Sequence, residues 1–137
     1  MLLHKENTGD NNVTNTEYIQ LAVRTESDLH PLRSTVKSRL LHGGIGISTE
    51  AGELLDNIKK HLFYKRPLDL VNMKEEAGDI FWYMAIVCDT CGWSFDEIME
   101  RNIEKLKVRY PDKFSVEKAI ERNVELELEK IKEGTTP

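Results

Sequence analysis

The sequence predicts an all-α protein, most economically a helical bundle. Three observations carry that expectation. Apolar residues recur at steps of three, four and seven over long stretches, the period of one helix face. Start and stop signals for helices punctuate those stretches. No stretch reads as a convincing strand, and no internal repeat is visible. Helices that are apolar on one side bury that side against one another, which makes a bundle.

Taken in order, residues 1–14 are polar and Asn-rich and read as a flexible leader. A short helix follows Thr16, with Tyr18, Ile19, Ala22 and Val23 as its apolar positions. Asp28 to Arg33 reads as a connection punctuated by Pro31. A long helix is expected from about Ser34 to Leu62, on Val36, Leu40, Ile47, Ala51, Leu54, Ile58 and Leu62. Gly43, Gly44 and Gly46 interrupt it, and each glycine costs a helix interior about 1 kcal/mol relative to alanine. The reading is one helix with a weak or kinked segment.

Tyr64 to Pro67 reads as a turn, and Asp69 is placed to cap the next helix, Leu70 to Cys91, with Gly92 beyond its end. Ser94 and Glu97 have capping-box spacing for a helix that runs to Tyr110 and stops before Pro111. Ser115 is placed to cap a last helix, apolar at Val116, Ala119, Ile120 and Val124. The organisation is a leader at 1–14, a helical domain at 15–123 and a charged tail at 124–137, itself open between helix, arm and frayed end.

The chain has 137 residues, enough for one domain with a modest core. Its net charge of −5 argues against polymeric nucleic acid as a partner. A nucleotide held through a metal stays compatible, because the ion reverses the local sign. No apolar stretch reaches the roughly 20 residues of a membrane span, and the N-terminus lacks an apolar signal region. The expected location is cytoplasmic. Cys88 and Cys91 suit that compartment and do not resemble a disulfide framework.

Two carboxylate pairs carry most of the functional information: Glu50-x-x-Glu53 and Glu76-x-x-Asp79. Residues three apart share a helix face, so each pair aims two acids the same way. The flanks Leu54-Leu55 and Ile80-Phe81-Trp82-Tyr83 are too apolar for wholly solvated helices. Gly52 and Gly78 sit at matching places inside the motifs, where they would let two backbones approach. Clustered carboxylates are rarely buried without a positive partner. No histidine follows either pair at the spacing of a di-iron bundle, so the donors are all oxygen and point to Mg²⁺, or Mn²⁺ in its place.

Other groups are open to two accounts each. Asn102, Lys105 and Arg109 share one helix side and suit phosphate oxygens, or else form a surface ion-pair face. Tyr83 stands one turn beyond Asp79, as a sugar contact or a core tyrosine. Lys59, Lys60, Lys65 and Arg66 form a basic cluster that complements a helix C-terminus, with Lys60 the candidate substrate contact among them. Cys88-x-x-Cys91 has no second pair and reads as buried helix-end cysteines.

Three segments in order, E-A-G-E-L, E-E-A-G-D-I-F-W-Y and N-I-E-K-L-K-V-R-Y-P-D-K-F, resemble the MazG-like all-α NTP pyrophosphohydrolases. The resemblance covers about residues 35–123. It implies cleavage of a (d)NTP between the α and β phosphorus atoms, giving a monophosphate and pyrophosphate. It implies Mg²⁺ on Glu50, Glu53, Glu76 and Asp79. It places Asn102, Lys105 and Arg109 near the phosphates and allows Tyr83 to contact the nucleotide. It further implies a homodimer or homotetramer, and the compact size is most similar to small stand-alone members, including those carried by bacteriophages. Two other readings stand beside it: a non-catalytic helical oligomerisation or regulatory module, and a hydrolase of a phosphoribosyl-ATP-like pyrophosphate. No motif names a base.

Overall fold

The computed structural model describes residues 12–27 and 34–133. Six helices are present among them: α1 (Asn15–Val23), α2 (Val36–Tyr64), α3 (Leu70–Cys91), α4 (Phe95–Arg109), α5 (Val116–Ile120) and α6 (Val124–Lys132). No strand occurs among the described residues, and the protein is all-α. Most of the leader and the whole Asp28–Arg33 connection lie outside them.

The ends of the helices follow local chemistry. Thr14 and Glu17 close a reciprocal capping box on α1, two residues earlier than the expected start. Asp69 caps α3 by accepting from the Val71 and Asn72 N–H groups, and Gly92 ends that helix at φ 70°. Ser94 accepts from the Glu97 N–H to open α4. Beyond Ser115 the expected single helix is two. α5 stops at Glu121, whose ψ of 73° leaves the helical region, and Asn123 caps a fresh start at α6. The tail segment at 124–132 is thus a helix, and it packs on α4.

α2 is one continuous helix of 29 residues despite its glycines, and α3 lies along it as the principal pairing of the fold. Gly46 is buried where a methyl group would overlap the Tyr83 ring. A methyl on Gly43 would come within 2.6 Å of Val87 Cγ2. These two glycines admit α3. Gly52 and Gly78, expected to bring the motifs together, face open space: no atom stands within 4 Å of a Cβ built on either. The reason is phase. Gly43 and Gly46 share a helix side with Glu50, whereas Gly52 lies off that side.

The small core sits where α1, α3 and α4 meet. It comprises Ala22, Ala85, Cys88 and Phe95, with Tyr18, Ile19, Trp82, Met84 and Ile98 against it. Trp82 Nε1 donates to Thr25 Oγ1 at 2.7 Å, which satisfies the indole and ties α3 to the end of α1. Arg39 grips buried Glu26 through Nε and Nη2 and reaches Asp89 through Nη1, joining the segment after α1 to α2 and α3. Away from α3, α2 leaves Leu41, Ile45, Leu55, Leu62 and Phe63 exposed along one side. That uncovered stripe runs most of the helix.

Candidate functional site

The α2–α3 pairing sets the acids against one another. Glu50 lies on the α2 side that carries Gly43 and Gly46. On α3, Asn72, Glu76, Asp79 and Tyr83 step by four, three and four along one side. One carboxylate oxygen each from Glu50, Glu76 and Asp79 lie within 4.8 Å of one another. Glu76 is buried, at 5 % exposure. Glu50 is half-buried and Asp79 exposed. Glu53, also exposed, stands outside this group of three and lines the adjoining cleft.

The electrostatics of the group are unrelieved by protein cations. Among the described residues, no lysine or arginine pairs with any of these acids. Burial pushes the Glu50 carboxyl above its usual range, a hydrogen bond with Glu76 adds to it, and the charges of Glu53, Asp79 and Glu76 raise it further. Such a set is held together by a shared proton or by a cation. Oxygen-only donors within ligand-sharing range fit a hard divalent ion.

Beside the acids, an open cleft of about 1110 Å³ runs between the C-terminal half of α2 and the start of α3. Glu53 and Thr49 line it at the acid end, with Lys60 and Arg66 also on its wall. Lys60 pairs with Asp56 at 2.6 Å. Lys59 and Lys60 together hold the Asp56 carboxyl at about 2. Lys65 adopts a left-handed conformation at φ 53°, unusual for a non-glycine residue, and ends α2 abruptly. His61 Nδ1 meets the Arg66 carbonyl at 2.7 Å and braces the turn.

Tyr83 is where the spacing put it, on the acid side. Its ring packs on Gly46, with edge contacts to His42 and Trp82. Burial raises its phenol pKa, and the Glu50 and Asp79 charges add to the shift. Asn102, Lys105 and Arg109 belong to α4, which packs on α6 and α1 and sets Phe95 and Ile98 against α3 in the core. Arg109 is engaged with Glu127, whose carboxylate also takes Arg122. Among the described residues, no hydrogen bond or ion pair joins Asn102, Lys105 or Arg109 to these carboxylates.

Two residues that motif reading passed over are Asn57 and Asn72. Asn72 donates to Glu76 Oε1 at 2.6 Å, and Asn57 donates to Asn72. The signal was present as Asn72-x-x-x-Glu76, an i, i+4 pair on one helix face.

The family model of the MazG nucleotide pyrophosphohydrolase domain matches residues 45–114, half of the chain. The chain belongs to this family. The match spans both acid pairs, the cleft and α4. No curated protein and no solved structure matches the chain significantly. Membership of the MazG family makes the chain a nucleotide pyrophosphohydrolase in the broad sense. No helix among the described residues is long and apolar enough to cross a membrane.

Proposed function

We propose that this chain is a Mg²⁺-dependent nucleoside triphosphate pyrophosphohydrolase that converts a (d)NTP to the (d)NMP and pyrophosphate in the cytoplasmic nucleotide pool. The observation that carries the reading is the meeting of Glu50, Glu76 and Asp79 within 4.8 Å, in a MazG domain and beside an open cleft. A triphosphate cannot approach such a carboxylate group unaided. A divalent ion there would neutralise phosphate charge and polarise the α-phosphoryl group.

The chain's own residues have separable parts in this reading. Glu50, Glu76 and Asp79 hold the cation, with Mn²⁺ an acceptable substitute, and Glu53 completes the set from the cleft wall. Glu53 is also the acid best placed to accept the proton of the attacking water, being outside the tight group. Water oxygen bonds to the α phosphorus, the bond to the bridging oxygen breaks, and pyrophosphate leaves. Lys60 faces the cleft for leaving-group charge. Tyr83 borders the acids as a nucleotide contact.

The working form is a homo-oligomer. The uncovered side of α2, with Leu41, Ile45 and Leu55 each at least half exposed, supports burial against a second copy. Asn102 and Lys105 are further candidates to hold substrate phosphates. Arg109 joins them only where Glu127 releases it.

The test is pyrophosphate release with Mg²⁺ across the dNTPs and NTPs, including dUTP and dITP. Metal-dependent release of monophosphate and pyrophosphate, lost in Glu53→Gln and Asp79→Asn variants that remain folded, bears out the reading. Full activity in both variants refutes the metal assignment. Turnover only of a phosphoribosyl-ATP-like compound, or of nothing, assigns the chain to one of the other two readings.

A further inference from the structure

Glu76 is the most buried acid of the group, and its carboxylate is held by a chain of amides. Asn72, one turn earlier on α3, donates Nδ2–H to Glu76 Oε1 at 2.6 Å. Asn57 of α2 donates Nδ2–H to Asn72 Oδ1 at 3.0 Å. The far side of Asn57 is fixed to main chain. Its Nδ2 also donates to the Asp69 carbonyl at 2.9 Å, and its Oδ1 accepts from the Asp69 N–H at 3.3 Å. Asp69 is the residue that caps α3. An unbroken path therefore runs from the rigid start of α3, across to α2, and back to the acid.

The polarity of this path is consistent at both ends. Asn72 gives its NH₂ to Glu76 Oε1 and its Oδ1 to Asn57. Asn57 then turns its NH₂ to Asn72, which leaves Oδ1 for the Asp69 N–H. The main-chain groups of Asp69 demand the same orientation independently. Neither amide flips without setting oxygen against oxygen.

Asn57 lines the cleft and is 8 % exposed, which invites the view that it reads substrate. Its hydrogen bonds argue otherwise. Both Nδ2 hydrogens and Oδ1 already have partners inside the protein. No donor of the side chain is left for a ligand, and its one acceptor atom is already engaged.

We infer that Asn72 and Asn57 are positioning residues for the cation site: Asn72 fixes the Glu76 carboxylate toward Glu50 and Asp79, and Asn57 anchors Asn72 to the α3 cap. The inference rests on the metal reading of Glu76. Partners that orient a metal ligand typically contribute 10–100-fold to metal affinity.

The test is calorimetric titration of Mn²⁺ into the full chain without nucleotide, for wild type, Asn72→Ala, Asn57→Ala, the double variant and Glu76→Gln. Asn72→Ala should weaken Mn²⁺ binding by about 10–100-fold. It leaves the Asn57–Asp69 bonds intact and places a good helix former within α3, so it tests the inference even if Asn57→Ala fails to fold. Residues acting in series do not add, so the double variant should bind Mn²⁺ no more weakly than Asn72→Ala. In turnover, excess Mn²⁺ should restore kcat of Asn72→Ala while KM for the nucleotide stays at the wild-type value. Wild-type Mn²⁺ affinity in Asn72→Ala, with only a lowered Tm, overturns the inference, as do losses that multiply in the double variant. Wild-type affinity in Glu76→Gln would overturn the metal reading itself, a distinct result.

Discussion

Glu127 on α6 holds Arg109 on α4 through a two-bond fork, with Nε to Oε1 at 2.9 Å and Nη2 on Oε2. Arg122 reaches the same carboxylate at 2.7 Å. One acid thus serves two guanidinium groups, and Arg109 clasps α4 to α6.

That clasp predicts a pH dependence. Arg109, then Arg122, hold the Glu127 carboxyl at about 2 against the usual 4.5. A depressed carboxylate stabilises the fold fully above its unfolded-state pKa, and the contribution fades as pH falls toward the folded value. Glu127→Gln should therefore melt below wild type near neutrality, with the gap closing between about pH 4.5 and pH 2. Melting curves across that range check it, and a constant gap would contradict the assignment.

The glycines of α2 predict a rank order. Gly46→Ala sets a methyl into the Tyr83 ring. Overpacking costs typically 1–3 kcal/mol, against about 1 kcal/mol gained in helix propensity. A net loss of up to about 2 kcal/mol is expected by urea denaturation. Gly43→Ala meets the Val87 methyl at 2.6 Å and the Tyr83 carbonyl at 3.3 Å, a lesser overlap than the ring atoms at Gly46, and should lose less.

Cation binding should stabilise the folded chain. With Mg²⁺ at about a hundred times its Kd, linkage contributes about 2.7 kcal/mol, and thermal unfolding should move up accordingly. Asp79→Asn should abolish most of that shift. An equal shift in the variant would place the cation elsewhere.

Leu55 and Ile45 lie on the uncovered side of α2, at 62 % and 51 % exposure. A charge there is solvated in a lone chain and buried in an assembly that uses this side. Leu55→Glu or Ile45→Glu should shift sedimentation toward the monomer with secondary structure intact. An unchanged assembly would assign the contact to another surface.

Cys88 is fully buried in the core, and burial raises its thiol pKa. Cys88→Ser buries a hydroxyl in apolar surroundings, at a cost of about 1–3 kcal/mol. Stability should fall while turnover stays near wild type. A large loss of turnover in the folded protein would give the C-x-x-C a role in catalysis.

Much of the architecture was legible because its causes are local. Asp69, Gly92 and Ser94 act within a turn of their own positions, and the structure uses all three as expected. The period of α3 likewise placed Glu76, Asp79 and Tyr83 on one side before any partner was known. The break between α5 and α6 was not legible, since Val124 continues the apolar spacing and only the backbone at Glu121 interrupts it.

By itself, then, the sequence determined the helical class, the helix termini near caps, the acid pairs and the family. Each follows from backbone and side-chain chemistry within a few residues. Tertiary structure decided which glycines admit a neighbour, which acids gather, and what Arg109 and Asn57 bind. Those outcomes depend on the relative rotation and depth of α2, α3, α4 and α6. A period along one helix sets which residues share a side, but the partner sets where that side points.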